Sequence, residues 1–405
     1  MRIDIEKPPF QYSQSPDDNP VSRLRDRLAT GEVALEQLPE HGSLPALLAA
    51  LEIPESSQVL VFSKTSMQVR HISSRNPRAI YFNDETYVAW IYGSSLVEVS
   101  TADPHLGTAF YTIDMAPKRP RLQRAYYDCM ACHATALTQG VPGHTVRSVF
   151  PTIDGSVDIK RESFITDDSS PLAERWGGWY VTGSHGEMTH MGNTFLRGTQ
   201  FDTRSNGNRP VLRDEFNTQH YLSAYSDIVA LMVLEHQTQM HNTLTRADFF
   251  VRQLQFEMQD VEATEATQRE WREWREQLRM IAKTVVDRLL FCQEAQLTSS
   301  VQGSNAFAQE FTARGPRDSQ GRSLRDFDLS SRMFRYPCSY MIYSASFTAL
   351  QPALRAEIYA QLQRVLTGQS QAEEYQHLDT QTRQQTLTIL RETLADFPVE
   401  IMNDG

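Results

Sequence analysis

The sequence predicts an α+β protein, a β-rich N-terminal half packed against a mainly helical C-terminal half. Three observations carry this. Between 58 and 113, short β-branched and aromatic runs alternate with turn residues. From about 222 onward the apolar spacing becomes that of helices. The chain has 405 residues, longer than a single core usually grows, so two closely packed subdomains are expected. They fall at 21–221 and 222–405, after an extended arm over 1–20.

The arm is polar and proline-rich at 7–20, and Asn19-Pro20 supplies an N-cap and first-turn proline for a helix over 20–30. A short helix fits 44–51. Strands are expected at 59–62, 79–82, 87–92, 96–99 and 109–113, with Asn83-Asp84-Glu85 and Gly93-Ser94-Ser95 as turns. Lys118, Arg119, Arg121 and Arg124 read as a basic loop. After the turn-rich stretch 139–143, a strand is expected at 146–151, a short helix after Ser170-Pro171 and a strand at 176–181. The paired glycines and aromatics of that last strand suit either a plain sheet or the wall of a flat cofactor. Ser226-Asp227 caps a helix running past Met240. In 268–293, Trp271, Trp274, Leu278, Met280 and Ile281 form the apolar face of an amphipathic helix with a salt-bridged opposite face. The Gly/Ser/Arg-rich stretch 299–328 suits a lid or interface loop. Helices return at 330–346, 351–366 and 379–396.

A net charge of −11 disfavours nucleic-acid and anionic-membrane partners and favours a basic protein partner. No run of 18 apolar residues marks an integral membrane span. Four cysteines are too few for a disulfide scaffold of this size.

Cys129-Met130-Ala131-Cys132-His133 names a chemistry. C-x-x-C-H is the attachment signature of c-type haem. Two cysteines three residues apart share one side of a helical turn, so their sulfurs can form thioethers to the two vinyl groups of one porphyrin. The next residue, His133, then stands as the proximal iron ligand. A zinc site needs four ligands, and Cys292 and Cys338 lie far off and are not paired as C-x-x-C. A thioredoxin-like pair needs a βαβ setting that the sequence does not offer. Arg119, Arg121, Arg124 and Arg147 are candidates for the haem propionates. For the sixth iron position the loop 183–193 is favoured, through His190 or Met191. His236 and Met240, on a helical stripe with Met232, and Cys338 are weaker candidates. Neither 185–190 nor 236–241 is a zincin motif, because the histidines stand five apart. No dinucleotide, Walker or nucleophile-elbow motif occurs.

The motif makes the chain resemble a c-type cytochrome. It does not resemble the small class I cytochromes c, which carry the motif near the start of a small domain; here 128 residues precede it and 272 follow. Several segments, among them Val61-Phe62-Ser63-Lys64-Thr65-Ser66, Pro77-Arg78-Ala79-Ile80-Tyr81-Phe82-Asn83-Asp84, His190-Met191-Gly192-Asn193 and Glu235-His236-Gln237-Thr238, are similar to a group of large, exported single-haem proteins described as cytochrome c domain-containing. The resemblance implies one covalent haem c at Cys129 and Cys132, ligation by His133 and a periplasmic or otherwise exported location. It carries no established activity. The first eleven residues show no export signal, so a leader is expected to have been removed or to lie upstream. The expected function is electron transfer. The alternatives are a haem enzyme (a peroxidase or small-oxide reductase, with His190, Glu187 or His236 as acid–base groups) and a small-ligand sensor.

Overall fold

The computed structural model describes residues 3–116, 120–205, 207–262, 264 and 266–398. The first helices are α1 (Pro20–Thr30) and α2 (Leu44–Ala50). Asn19 caps α1 as its sequence implies, its side-chain oxygen accepting from the backbone of Val21 and Ser22. Six strands follow: β1 (Val59–Val61), β2 (Arg78–Phe82), β3 (Thr86–Ile91), β4 (Leu96–Asp103), β5 (Gly107–Asp114) and β6 (Arg121–Ala125). The helix α3 (Tyr127–His133) comes next, then the short strands β7 (Arg147–Ser148), β8 (Phe164–Ile165) and β9 (Trp179–Tyr180). The rest is α4 (Ile228–Met258), α5 (Gln268–Leu289), α6 (Phe307–Ala313), α7 (Ala345–Thr348), α8 (Pro352–Leu366) and α9 (Thr380–Thr393). The N-terminal half is thus a sheet and the C-terminal half helical.

All but two strands form one antiparallel sheet in the order β6-β5-β4-β3-β2-β1-β9, while β7 pairs with β8. Alternation divides the sheet's residues between two cores. Leu60, Tyr81, Val88, Val97, Val99 and Tyr111 pack on one side with Val21 and Leu24 of α1 and Leu44, Leu47 and Leu48 of α2. Val59, Val61, Phe82 and Tyr87 face the other way, into the core of α4, α5 and α8. This second core joins residues from both sides of position 222.

The helix α4 is capped by Asp227, which accepts from Val229 and Ala230 N–H. Its N-terminal half is buried all round, polar residues included. Each buried polar side chain therefore needs a partner, and distant loops supply them. Thr166 and Arg175 reach Glu235, and Tyr87 and Tyr340 reach Gln237. Among the described residues no helix is long and apolar enough to cross a membrane.

Several expectations need correction. Residues 121–125 are a strand, not a basic loop, and Lys118 and Arg119 lie outside the described residues. The strands expected at 146–151 and 176–181 shrink to two residues each. Met280 is 64% exposed, on the solvent side of α5, whose buried stripe is Leu278, Ala282, Val285, Val286 and Leu289. The stretch 299–328 contains α6 and is tied to the sheet end by Arg325, which pairs with Asp84 and stacks on Phe311 and Tyr340. The arm folds back on the protein: Tyr12 Oη donates to Thr108 O (2.8 Å) and Phe10 stacks on Phe249.

Candidate functional site

The edge strand β6 delivers the chain directly into α3, whose seven residues include none that is fully buried. Cys132 is exposed and Cys129 partly so, both as free thiols one helical turn apart. Burial, Glu98, Asp128 and Cys132 together push the Cys129 thiol up to about 11. It is therefore protonated at neutral pH, opposite to the lowered pKa of a redox-active or metal-binding thiolate. Among the described residues no group of three His, Cys, Asp or Glu side chains is arranged to hold a metal ion. The two cysteines thus lack the further donors a zinc site needs.

His133 closes the helix. Its Nδ1 lies 2.8 Å from Gly143 O. A carbonyl can only accept, so Nδ1 carries the proton and Nε2 keeps its lone pair. Burial lowers the pKa of His133 further than the Gly143 carbonyl and Glu98 raise it, favouring the neutral ring. This is the state an axial ligand requires, and a backbone carbonyl on the other nitrogen is the usual way such a ligand is oriented.

The carbonyl is itself fixed. Gly143 is followed by His144, whose N–H donates to Asn242 Oδ1 (2.9 Å) and whose C=O accepts from Asn242 Nδ2 (2.7 Å). Asn242 comes so close that a Cβ on Gly143 would run into its Oδ1, which is why glycine stands there. His144 Nε2 meets Ser100 Oγ at 2.8 Å, and the His133 ring packs 4.8 Å from that of Phe110. The sheet and α4 therefore grip His133 from two sides.

Beside α3 the sheet presents Glu98 on β4, Thr112 on β5 and Gln123 on β6 in one row, and the row is partly or fully open to solvent. Glu98 pairs with Arg78 of β2 at 3.2 Å. The Nε atoms of Arg78 and Arg147 are both buried without a hydrogen-bond partner. Such donors fit a carboxylate-bearing group. Arg124 shares this feature, its Nε being buried without a hydrogen-bond partner, while its terminal nitrogens donate to Tyr12 O and Ser15 O (2.7 Å each) and its guanidinium stacks on Tyr12 and Tyr126. Arg121 is exposed on the edge strand. Sequence reasoning missed Arg78, Gly143 and Asn242. The only signal was the glycine of the turn-rich stretch 139–143.

The other candidate ligands are engaged elsewhere. Met191 is buried, with Ser148 Oγ donating to its sulfur at 3.4 Å. His190 packs edge-on against Trp176 and His185. Both belong to the β9 edge, where Asn193 N–H bonds Trp179 O. Five strand spacings separate β9 from β5, roughly 24 Å. Glu187 is exposed in the same loop. Met240 and Cys338 are fully buried in the α4 core, and Cys338 and Cys292 are both free thiols.

His236 belongs to a second constellation. Its Nδ1 meets Asp168 Oδ1 at 3.1 Å and its Nε2 meets Ser339 Oγ at 2.7 Å. The order Asp–His–Ser is that of a nucleophilic triad. Here it is structural. All three side chains are buried, Arg288 also pairs with Asp168, and Ser339 Oγ accepts from Met341 N–H as a helix cap.

No family model, no curated protein and no solved structure matches this chain.

Proposed function

We propose that the chain carries one haem c, bonded to Cys129 and Cys132 and ligated by His133, and that it transfers electrons in an exported compartment. One observation carries the reading: the C-x-x-C-H turn is accessible, and its histidine is held in the tautomer that frees Nε2. When bound, the group supplies one-electron exchange at iron. The chain's residues do the rest. The two thiols anchor the porphyrin, Gly143 orients the imidazole, and Arg78 offers a free N–H group to a propionate. The seven-stranded sheet supports the view that this scaffold is not that of the small class I cytochromes c. Cys132 is exposed, so a porphyrin bonded there would be reachable from solvent, as transfer to a partner protein requires. With a net charge of −11, a basic partner and salt-weakened association are expected.

The test is intact mass and pyridine haemochrome spectra of protein made with a haem-attachment system. Wild type should gain one covalent haem, and Cys129→Ala/Cys132→Ala none. A colourless wild type with both thiols free under these conditions rejects the proposal.

A further inference from the structure

We infer that Met67 is the second axial ligand of the iron, so that the protein is a six-coordinate His/Met carrier. The inference rests on the haem reading above. It comes from the register of the sheet beneath α3. Ser100 pairs with Phe110, Glu98 with Thr112 and Leu96 with Asp114, so these three rows follow one another on one face. His133 stands over the first row, through its contact with Phe110. Four residues of strand separate that row from the third, about 13 Å.

The loop after β1 arrives at the far end of this interval. Ser66 Oγ lies 3.1 and 3.2 Å from the two Glu98 carboxylate oxygens. Gln68 Nε2 donates to Leu96 O at 3.2 Å, and Gln68 Oε1 accepts from Ser94 Oγ at 2.6 Å. Met67 is therefore pinned by both neighbours between the second and third rows, across the open row from His133. Glu98, which holds Ser66, also acts electrostatically on His133 and Cys129, so the loop and the C-x-x-C-H turn border the same space. Met67 is 59% exposed, so its side chain is accessible from the solvent side of the sheet. Met191 and Met240 are instead buried in packed cores. The attachment of Met67, between the second and third rows, thus lies about 10 Å along the strands from the row under His133.

The test uses the full haem-loaded chain. Ferric wild type should be low-spin with a sulfur-to-iron charge-transfer band, and the ferrous form should refuse carbon monoxide. Met67→Ala should lose the band, bind carbon monoxide and fall in midpoint potential. Met67→His should stay low-spin without the band. Met191→Ala and Met240→Ala should retain the wild-type spectrum. A covalently loaded Met67→Ala variant with the band intact overturns this inference alone. So does a loaded wild type that lacks the band. A wild type without covalent haem overturns the haem reading together with it.

Discussion

Asn242→Ala tests the clamp behind His133. Asn242 is fully buried on α4, and its amide satisfies both the N–H and the C=O of His144. Alanine leaves those two backbone groups without partners in a region closed to water. Each orphaned buried group costs about 1–3 kcal/mol, so the variant should lose about 4 kcal/mol of stability. For a chain of this length the unfolding entropy converts that to a drop in Tm of roughly 5 °C. Urea unfolding followed by far-UV circular dichroism measures the first quantity, and a thermal scan the second. Asn242→Asp sets a carboxylate oxygen against His144 O at a buried position and should lose at least as much. If Asn242→Ala costs under about 1 kcal/mol, Gly143 is held by something other than this amide, and the derived orientation of His133 loses its support.

Two further outcomes follow from buried polar groups. Burial, with Asp84 alongside, pushes Glu85 up to about 7 against the lowering bond from Ala345 N–H. Its folded value lies above the unfolded 4.5, so the stability it contributes is complete below 4.5 and is lost as pH rises through about 7. That gap corresponds to at most ~3 kcal/mol, and partial exposure of the side chain brings it to ~2 kcal/mol. Denaturant titrations from about pH 5 to about pH 8 should show the wild type losing that much more than Glu85→Gln; parallel profiles would refute it. Ser339→Ala strips His236 Nε2 and Met341 N–H of a shared partner and should cost about 2–3 kcal/mol by urea unfolding. A neutral result would mean that His236 finds another partner.

The strands β1 to β5 were legible because their β-branched and aromatic residues alternate between two cores. The next strand, β6, was not. It is an edge strand in which Leu122 alone is buried, so Arg121, Gln123 and Arg124 read as a loop. The cap of α4 was plain in Ser226-Asp227, but the environment of its polar run was not. Glu235, His236 and Gln237 take partners that stand 60 to 154 residues away in the chain. A single sequence without an alignment gives no sign of such pairings. The same limit applies at the candidate site. The cysteines and His133 declare themselves by spacing. Gly143, Asn242 and Arg78 acquire their meaning only when sheet register and helix α4 bring them alongside. The loop with two histidines and two methionines at 185–191 attracted attention by composition, yet it packs at the opposite edge of the sheet.

The cysteine-bearing turn has no fully buried residue, and this bears on biogenesis. Of α3 only Met130 packs against a core, and only in part, so under the haem reading proposed above polypeptide collapse and covalent loading are separable events. A cell making this protein would then hold a reservoir of finished but uncoloured molecules. Delivery of the pigment, rather than the rate of folding, would set how much working protein it has.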